Sequence, residues 1–96
     1  MQDESPGGES LETRRKRLRF RAWHRGTREM DLLVGSFADA YLAGFESQQL
    51  DRFEGLLLES DPDLYAWMIG RSDPPTDLDH DVMRLMRAFE YKPVTS

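Results

Sequence analysis

Polypeptide chemistry needs particular side chains at particular spacings, and this sequence holds few of them. Its two histidines, His24 and His80, are far apart and share no metal-ligand spacing. There is no cysteine, which excludes a disulfide framework, a zinc-thiolate site and a thiol nucleophile. Asp77-x-Asp79-x-Asp81 looks like the opening of a calcium loop. However, Val82 stands where that loop requires Gly, and Ala88 where it requires Glu. The pair Gly7-Gly8 follows no strand, so it makes no phosphate-binding fingerprint. No Ser-His-Asp set and no paired-carboxylate arrangement can be argued from spacing. No catalytic residue, metal ligand or cofactor-binding residue is assigned, and an enzyme is not expected.

Two segments remain. The first is the basic run Arg14-Arg15-Lys16-Arg17-Leu18-Arg19-Phe20-Arg21, with aromatics interleaved. Such a run suits an anionic partner: nucleic acid, through phosphate neutralisation, or an acidic protein surface. A solvated helix face accounts for it equally well. The second is Arg25-Gly26-Thr27-Arg28-Glu29. Locally it is a helix-to-helix corner. Arg25 complements the end of one helix, Gly26 supplies a left-handed turn, Thr27 caps the next helix and Glu29 is a favourable first-turn acid.

The elements that position these segments are all helical. After an acidic stretch over residues 1–12 with no apolar period, read as a flexible tail, one helix runs from about Thr13 to His24. Leu11, Leu18 and Ala22 share its core side, while Phe20 and Trp23 lie largely elsewhere. A helix with two apolar patches can bury one and offer the other. The second helix, about Thr27 to Gly44, carries Met30, Leu33, Val34, Phe37, Ala38 and Tyr41 at helical spacing. Gly35 weakens its interior by about 1 kcal/mol relative to Ala. The third, capped by Ser47 and running to about Glu59, turns Leu50, Phe53, Leu56 and Leu57 inward. The fourth spans about Pro62 to Ile69, with Asp61 as cap, Leu64, Trp67 and Met68 as core and Gly70 as terminator. The fifth begins with a capping-box-like Thr76-x-x-Asp79 and runs to about Tyr91. The expected fold is all-α: a compact five-helix bundle with short loops, one domain over residues 13–92, and a flexible end at 93–96.

Length and charge bound the rest. At 96 residues the chain has room for one modest core. The net charge of −5 is unevenly spread. Residues 1–13 carry −4, residues 14–28 carry +8 and residues 30–96 carry −8. No apolar stretch approaches the roughly 20 residues that span a bilayer, so no membrane insertion is expected. The acidic opening is unlike a signal or transit peptide.

Read together, three stretches resemble one family. They are Arg17-Leu18-x-Phe20, then Arg25-Gly26-x-x-Glu29-x-Asp31, then Leu57-Leu58-Glu59-x-Asp61-Pro62-Asp63-Leu64-Tyr65-x-Trp67. The combination resembles the succinate dehydrogenase flavinylation factors, over about residues 14–91. Thr27 is a departure, since the family often has Met there.

The resemblance implies a five-helix bundle that performs no chemistry itself. Such a factor is an assembly chaperone. It binds the flavoprotein subunit of succinate dehydrogenase, or of fumarate reductase, and promotes that subunit's own covalent attachment of FAD. FAD is then the partner's cofactor, and none is stably bound here. By carry-over, Arg25, Gly26 and Glu29 form the contact surface, with Arg19, Arg21, Trp23, His24 and Arg28 flanking it. The expected state is a monomer when free. The expected location is the cytoplasm of a bacterium, with the mitochondrial matrix as the eukaryotic counterpart. The alternative reading is a small nucleic-acid-binding domain using residues 14–28. Tyr65 and Trp67 are read as core-packing residues.

Overall fold

The computed structural model describes residues 9–89, and within them every regular element is helical. Five α-helices follow in order: α1 (Leu11–Trp23), α2 (Arg28–Tyr41), α3 (Ser47–Leu57), α4 (Asp61–Met68) and α5 (Asp81–Ala88). The expected tail falls outside the described residues over 1–8. Residues 90–96, and with them the expected end of the fifth helix at Tyr91, also fall outside.

Each helix starts where a side chain satisfies an orphan backbone N–H. Ser10 accepts from the Thr13 amide at 3.1 Å, so α1 begins at Leu11, ahead of Thr13. Thr27 accepts from the Met30 amide at 3.3 Å, as its type and position suggest. Two expected caps are displaced. Ser60 rather than Asp61 caps α4, accepting from Asp63 at 3.3 Å, which places Pro62 at the second helical position. Glu46 rather than Ser47 precedes α3, with its amide donating to the Gln49 side-chain oxygen at 3.1 Å.

The largest departure is the last helix. Thr76–Leu78 forms a single 3₁₀ turn, and α5 starts anew at Asp81 with His80 as its cap. The His80 ring nitrogen Nδ1 accepts from the Met83 amide at 3.1 Å. Asp79 therefore closes the 3₁₀ turn instead of completing a capping box. At the far end Phe89 is already extended, with φ −75° and ψ 126°. Gly70, by contrast, ends α4 as read, at φ +80°. Its amide bonds to Trp67 O at 3.2 Å and the Arg71 amide to Ala66 O at 2.8 Å, the paired bonds of a Schellman turn.

The core is one cluster. Leu18 and Ala22 of α1, Val34 and Phe37 of α2, Leu50, Phe53 and Leu56 of α3, Leu64 of α4 and Val82, Met83 and Met86 of α5 are buried within it. Phe37 is its hub, with ring centroids 5.8 Å from Phe53, 4.7 Å from Tyr41 and 5.6 Å from Phe89. Trp67 is buried, and Tyr65 is half-buried beneath the Arg71 guanidinium. Leu11, expected on the core side, is 42% exposed.

Packing of α1 on α2 is set by one close approach. The Trp23 indole lies flat on Gly35, where a Cβ would stand 2.2 Å from Trp23 Cδ2. The glycine that costs helix propensity is thus the floor on which an aromatic ring rests.

Candidate functional site

The corner between α1 and α2 is built from five residues with opposite fates. Arg25 turns inward, and its side chain is 8% exposed. Its Nε donates to Asp61 Oδ1 at 2.8 Å, Nη1 to Leu57 O at 2.6 Å and Nη2 to Glu59 O at 2.7 Å. The guanidinium fork thereby satisfies carbonyls left open at the end of α3 and pairs with an acid in the first turn of α4. Arg25 thus joins the first-corner loop to the α3–α4 connection.

Asp31 holds the same corner from the other side. Its Oδ1 accepts from the backbone amides of both Arg25 and Gly26, the latter at 3.2 Å. Gly26 has φ +121°, a conformation that L side chains rarely adopt. A Cβ there would meet nothing within 4 Å, so the glycine answers to backbone geometry and presents bare main chain to solvent.

The remaining positions face outward. Gly26, Thr27, Arg28 and Glu29 are all exposed. Among the described residues the side chains of Arg28 and Glu29 have no hydrogen-bonding or ionic partner. The corner therefore displays an open glycine main chain beside one free cation and one free carboxylate, all on a frame locked by Arg25 and Asp31.

Of the expected flanking residues, Arg19 and His24 are exposed, whereas Trp23 and Arg21 are partly covered. Trp23 sits on Gly35 and its Nε1 donates to Asp39 at 3.3 Å, so much of its ring serves helix packing. Arg19 pairs with the same Asp39 at 3.1 Å while remaining 62% exposed. Arg21 lies 3.5 Å from Glu54.

The basic run is not a continuous cationic face. Arg14 pairs with Asp51 and Glu54 at 2.6 and 3.0 Å. Arg17 pairs with Glu9 and Glu54 at 2.7 and 3.1 Å. Arg15 donates to the carbonyls of Leu42 and Phe45 at 3.0 and 2.7 Å. Glu54 is the hub of this cluster. The Arg17 hydrogen bond, assisted by Arg14, holds its carboxyl below the usual range.

Asp31, Asp61 and Phe20 were not among the expected contact residues. Asp31 and Asp61 lie in the quoted motifs, but their roles depend on contacts across the chain. Phe20 is 64% exposed and stacks on His24 with centroids 3.9 Å apart and planes 20° from parallel. Its separation from the core stripe on the helical wheel was the available signal. Among the described residues no cluster of three or more His, Asp or Glu side chains is placed to hold a metal ion. None of the described helices is long and apolar enough to cross a membrane.

Comparisons with known proteins place the chain in one family. A family model described as flavinator of succinate dehydrogenase matches residues 16–90. The chain is 38% identical over 78 residues to the FAD assembly factor SdhE of Acetobacter pasteurianus, covering 81% of this chain and 72% of that one. It is 36% identical over 81 residues to the mitochondrial succinate dehydrogenase assembly factor 2-B of Drosophila mojavensis, covering 82% of this chain and 52% of that one. A mitochondrial assembly factor 2 of Debaryomyces hansenii is 45% identical over 60 residues, covering 62% of this chain. The chain thus spans 52% and 42% of the length of these two mitochondrial relatives. Relatives occur in both bacteria and mitochondria.

Proposed function

This chain belongs to the flavinators of succinate dehydrogenase, and we propose that it is an assembly factor for the flavoprotein subunit of that enzyme. The relatives named as FAD and succinate dehydrogenase assembly factors support this reading. The observation that carries it is the corner itself. The side chains of Arg28 and Glu29 stand free in solvent beside the exposed Gly26, on a frame whose polar groups, the Gly26 amide included, are satisfied by Arg25 and Asp31. Unspent hydrogen-bonding groups on a rigid frame are the requirement for contacting another protein with little ordering cost.

The factor works by binding, with no catalytic group of its own. It favours the state of the flavoprotein in which that subunit attaches FAD to itself, and so enriches it. Moving such an equilibrium from mostly incompetent to mostly competent takes about 5.5 kcal/mol of differential binding. An interface of about 1,600 Å² is a standard size for such a complex. FAD belongs to the partner throughout. The related flavoprotein of fumarate reductase is a second substrate for the same surface. The free factor is a monomer, acting in the bacterial cytoplasm or its mitochondrial equivalent.

Co-expression of the flavoprotein with the wild-type chain or with Glu29→Ala tests the reading. Covalent flavin is measured by in-gel fluorescence. The wild-type chain raises the signal and Glu29→Ala lowers it, at matched levels of folded factor. An undiminished signal with Glu29→Ala removes the corner from the mechanism.

A further inference from the structure

Beyond the corner, the outward face of α1 carries a second feature, which shares only Phe20 with the three stretches that mark the family. Lys16, Arg19, Phe20, Trp23 and His24 line a surface groove of about 400 Å³. Their numbers fall at helical spacing, so one face of α1 presents them together. The lining is cationic and aromatic, without an acid.

Three observations make this groove distinct from the rest of the basic helix. Arg14, Arg15, Arg17 and Arg25 spend their donors on acids and carbonyls inside the fold. Lys16 has no partner among the described residues, and Arg19 remains 62% exposed beside Asp39. Phe20 is 64% exposed, whereas Phe37, Phe45 and Phe53 are all buried.

Phe20 is also held in place. It stacks on His24, and His24 Nδ1 lies 2.7 Å from the Phe20 carbonyl. A carbonyl only accepts, so Nδ1 carries the proton and the imidazole is fixed in one tautomer when neutral. Two stacked rings with restricted rotamers make a preorganised ridge.

A second groove, of about 490 Å³, lies on the other side of the same ridge and includes Arg21, Arg25, Glu59 and Asp61. There Arg25 is already neutralised by Asp61. On the Lys16–Arg19 side Arg19 shares Asp39 at 3.1 Å, and the Lys16 ammonium is left without a partner among the described residues.

We infer that the Lys16–Arg19–Phe20 groove seats an acidic segment of the flavoprotein subunit, with an apolar side chain of that segment packed on Phe20. Charge complementarity selects the occupant, and His24 makes the groove continuous with the Arg25–Glu29 corner. The inference rests on the assembly-factor reading and adds a second contact to it. Phe20 supplies buried area, and the two cations supply steering and register.

The test is a titration of purified flavoprotein subunit with the full chain at several salt concentrations. It compares wild type, Phe20→Ala, the double variant Lys16→Glu/Arg19→Glu, and Glu29→Gln, each with a thermal melt. Phe20→Ala and the double variant are expected to weaken binding by about tenfold or more while the melts hold. The double variant also flattens the salt dependence. Wild-type affinity in both, with Glu29→Gln weakened, overturns the groove and leaves the assembly-factor reading standing. No binding by the wild-type chain overturns that reading itself. Displacement of the flavoprotein by a duplex oligonucleotide at micromolar concentration assigns the groove to nucleic acid and also overturns the inference.

Discussion

The Arg25 guanidinium meets the Asp61 carboxylate at 2.8 Å, although 36 residues separate them in the chain. This contact joins the second and third stretches of the sequence pattern. Arg25 belongs to the Arg-Gly-x-x-Glu corner and Asp61 to the Asp-Pro-Asp-Leu run. The Arg-Gly-x-x-Glu motif alone is weak, and its combination with the downstream run, which is specific, is here one structural unit. Within it Arg25 and Asp61 position, while the side chains of Arg28 and Glu29 are left free beside the exposed Gly26.

Arg25 and Glu29 are therefore expected to fail differently. Arg25→Ala removes three inward hydrogen bonds and strands Asp61, and should cost about 3 kcal/mol of stability. Glu29→Gln loses only a first-turn charge, about 0.5 kcal/mol. Urea denaturation followed by far-UV circular dichroism checks the split. Equal stability losses in the two variants would contradict the division of roles.

Gly26 gives a purer backbone effect. With φ +121° and open space around it, Gly26→Ala meets no clash. It should still cost about 1–3 kcal/mol through strain alone. The same denaturation experiment measures it. A neutral result would mean that the corner relaxes freely.

Gly35→Ala should destabilise despite alanine's helix preference of about 1 kcal/mol. The new methyl would overlap the Trp23 ring at 2.2 Å and push it outward. Overpacking of this kind costs about 1–3 kcal/mol. A lower melting temperature and a red-shifted tryptophan emission are the expected readings.

His80 makes stability depend on pH near neutrality. Burial, with some help from Arg52 and Arg84, holds its pKa below the ordinary 6.5, and Asp81 opposes this. The unfolded chain then binds the proton more readily than the folded one. The contribution is present above the unfolded pKa and is lost as pH falls through the folded one. Protonation also removes the Nδ1 acceptor that caps α5. Melting temperature should fall from pH 7.5 to 5.5 in the wild type. His80→Asn, which keeps a neutral cap, should fall less.

The internal pairing of the basic run predicts weak nucleic-acid binding. Anisotropy titrations with duplex and single-stranded oligonucleotides should give no micromolar affinity at physiological salt. Tight binding with a steep salt slope would show that the ion pairs around Glu54 open readily.

The helical architecture was legible because its signals are local. Apolar residues at helical spacing mark α2 and α3, and Thr27 and Gly70 punctuate the chain as their types suggest. The last helix was misread for an equally local reason. Thr76-x-x-Asp79 has the composition of a capping box, yet His80 offers an acceptor at the start of the strongest amphipathic stretch. Tertiary packing of Val82, Met83 and Met86 settles the choice. Leu11 fell on the right stripe yet stays 42% exposed.

By itself the sequence determined the all-α class, most helix positions, the asymmetric charge and the motifs that mark the family. Only the tertiary structure decided which cations are spent and which are free. It also decided that Gly35 is a seat for Trp23, and that Arg25 faces inward while Glu29, four residues on, faces out. The physical reason is range. Periodicity and capping act within a few residues, whereas the fate of a charge depends on acids and carbonyls some 30 to 40 residues away, brought near only when the core closes.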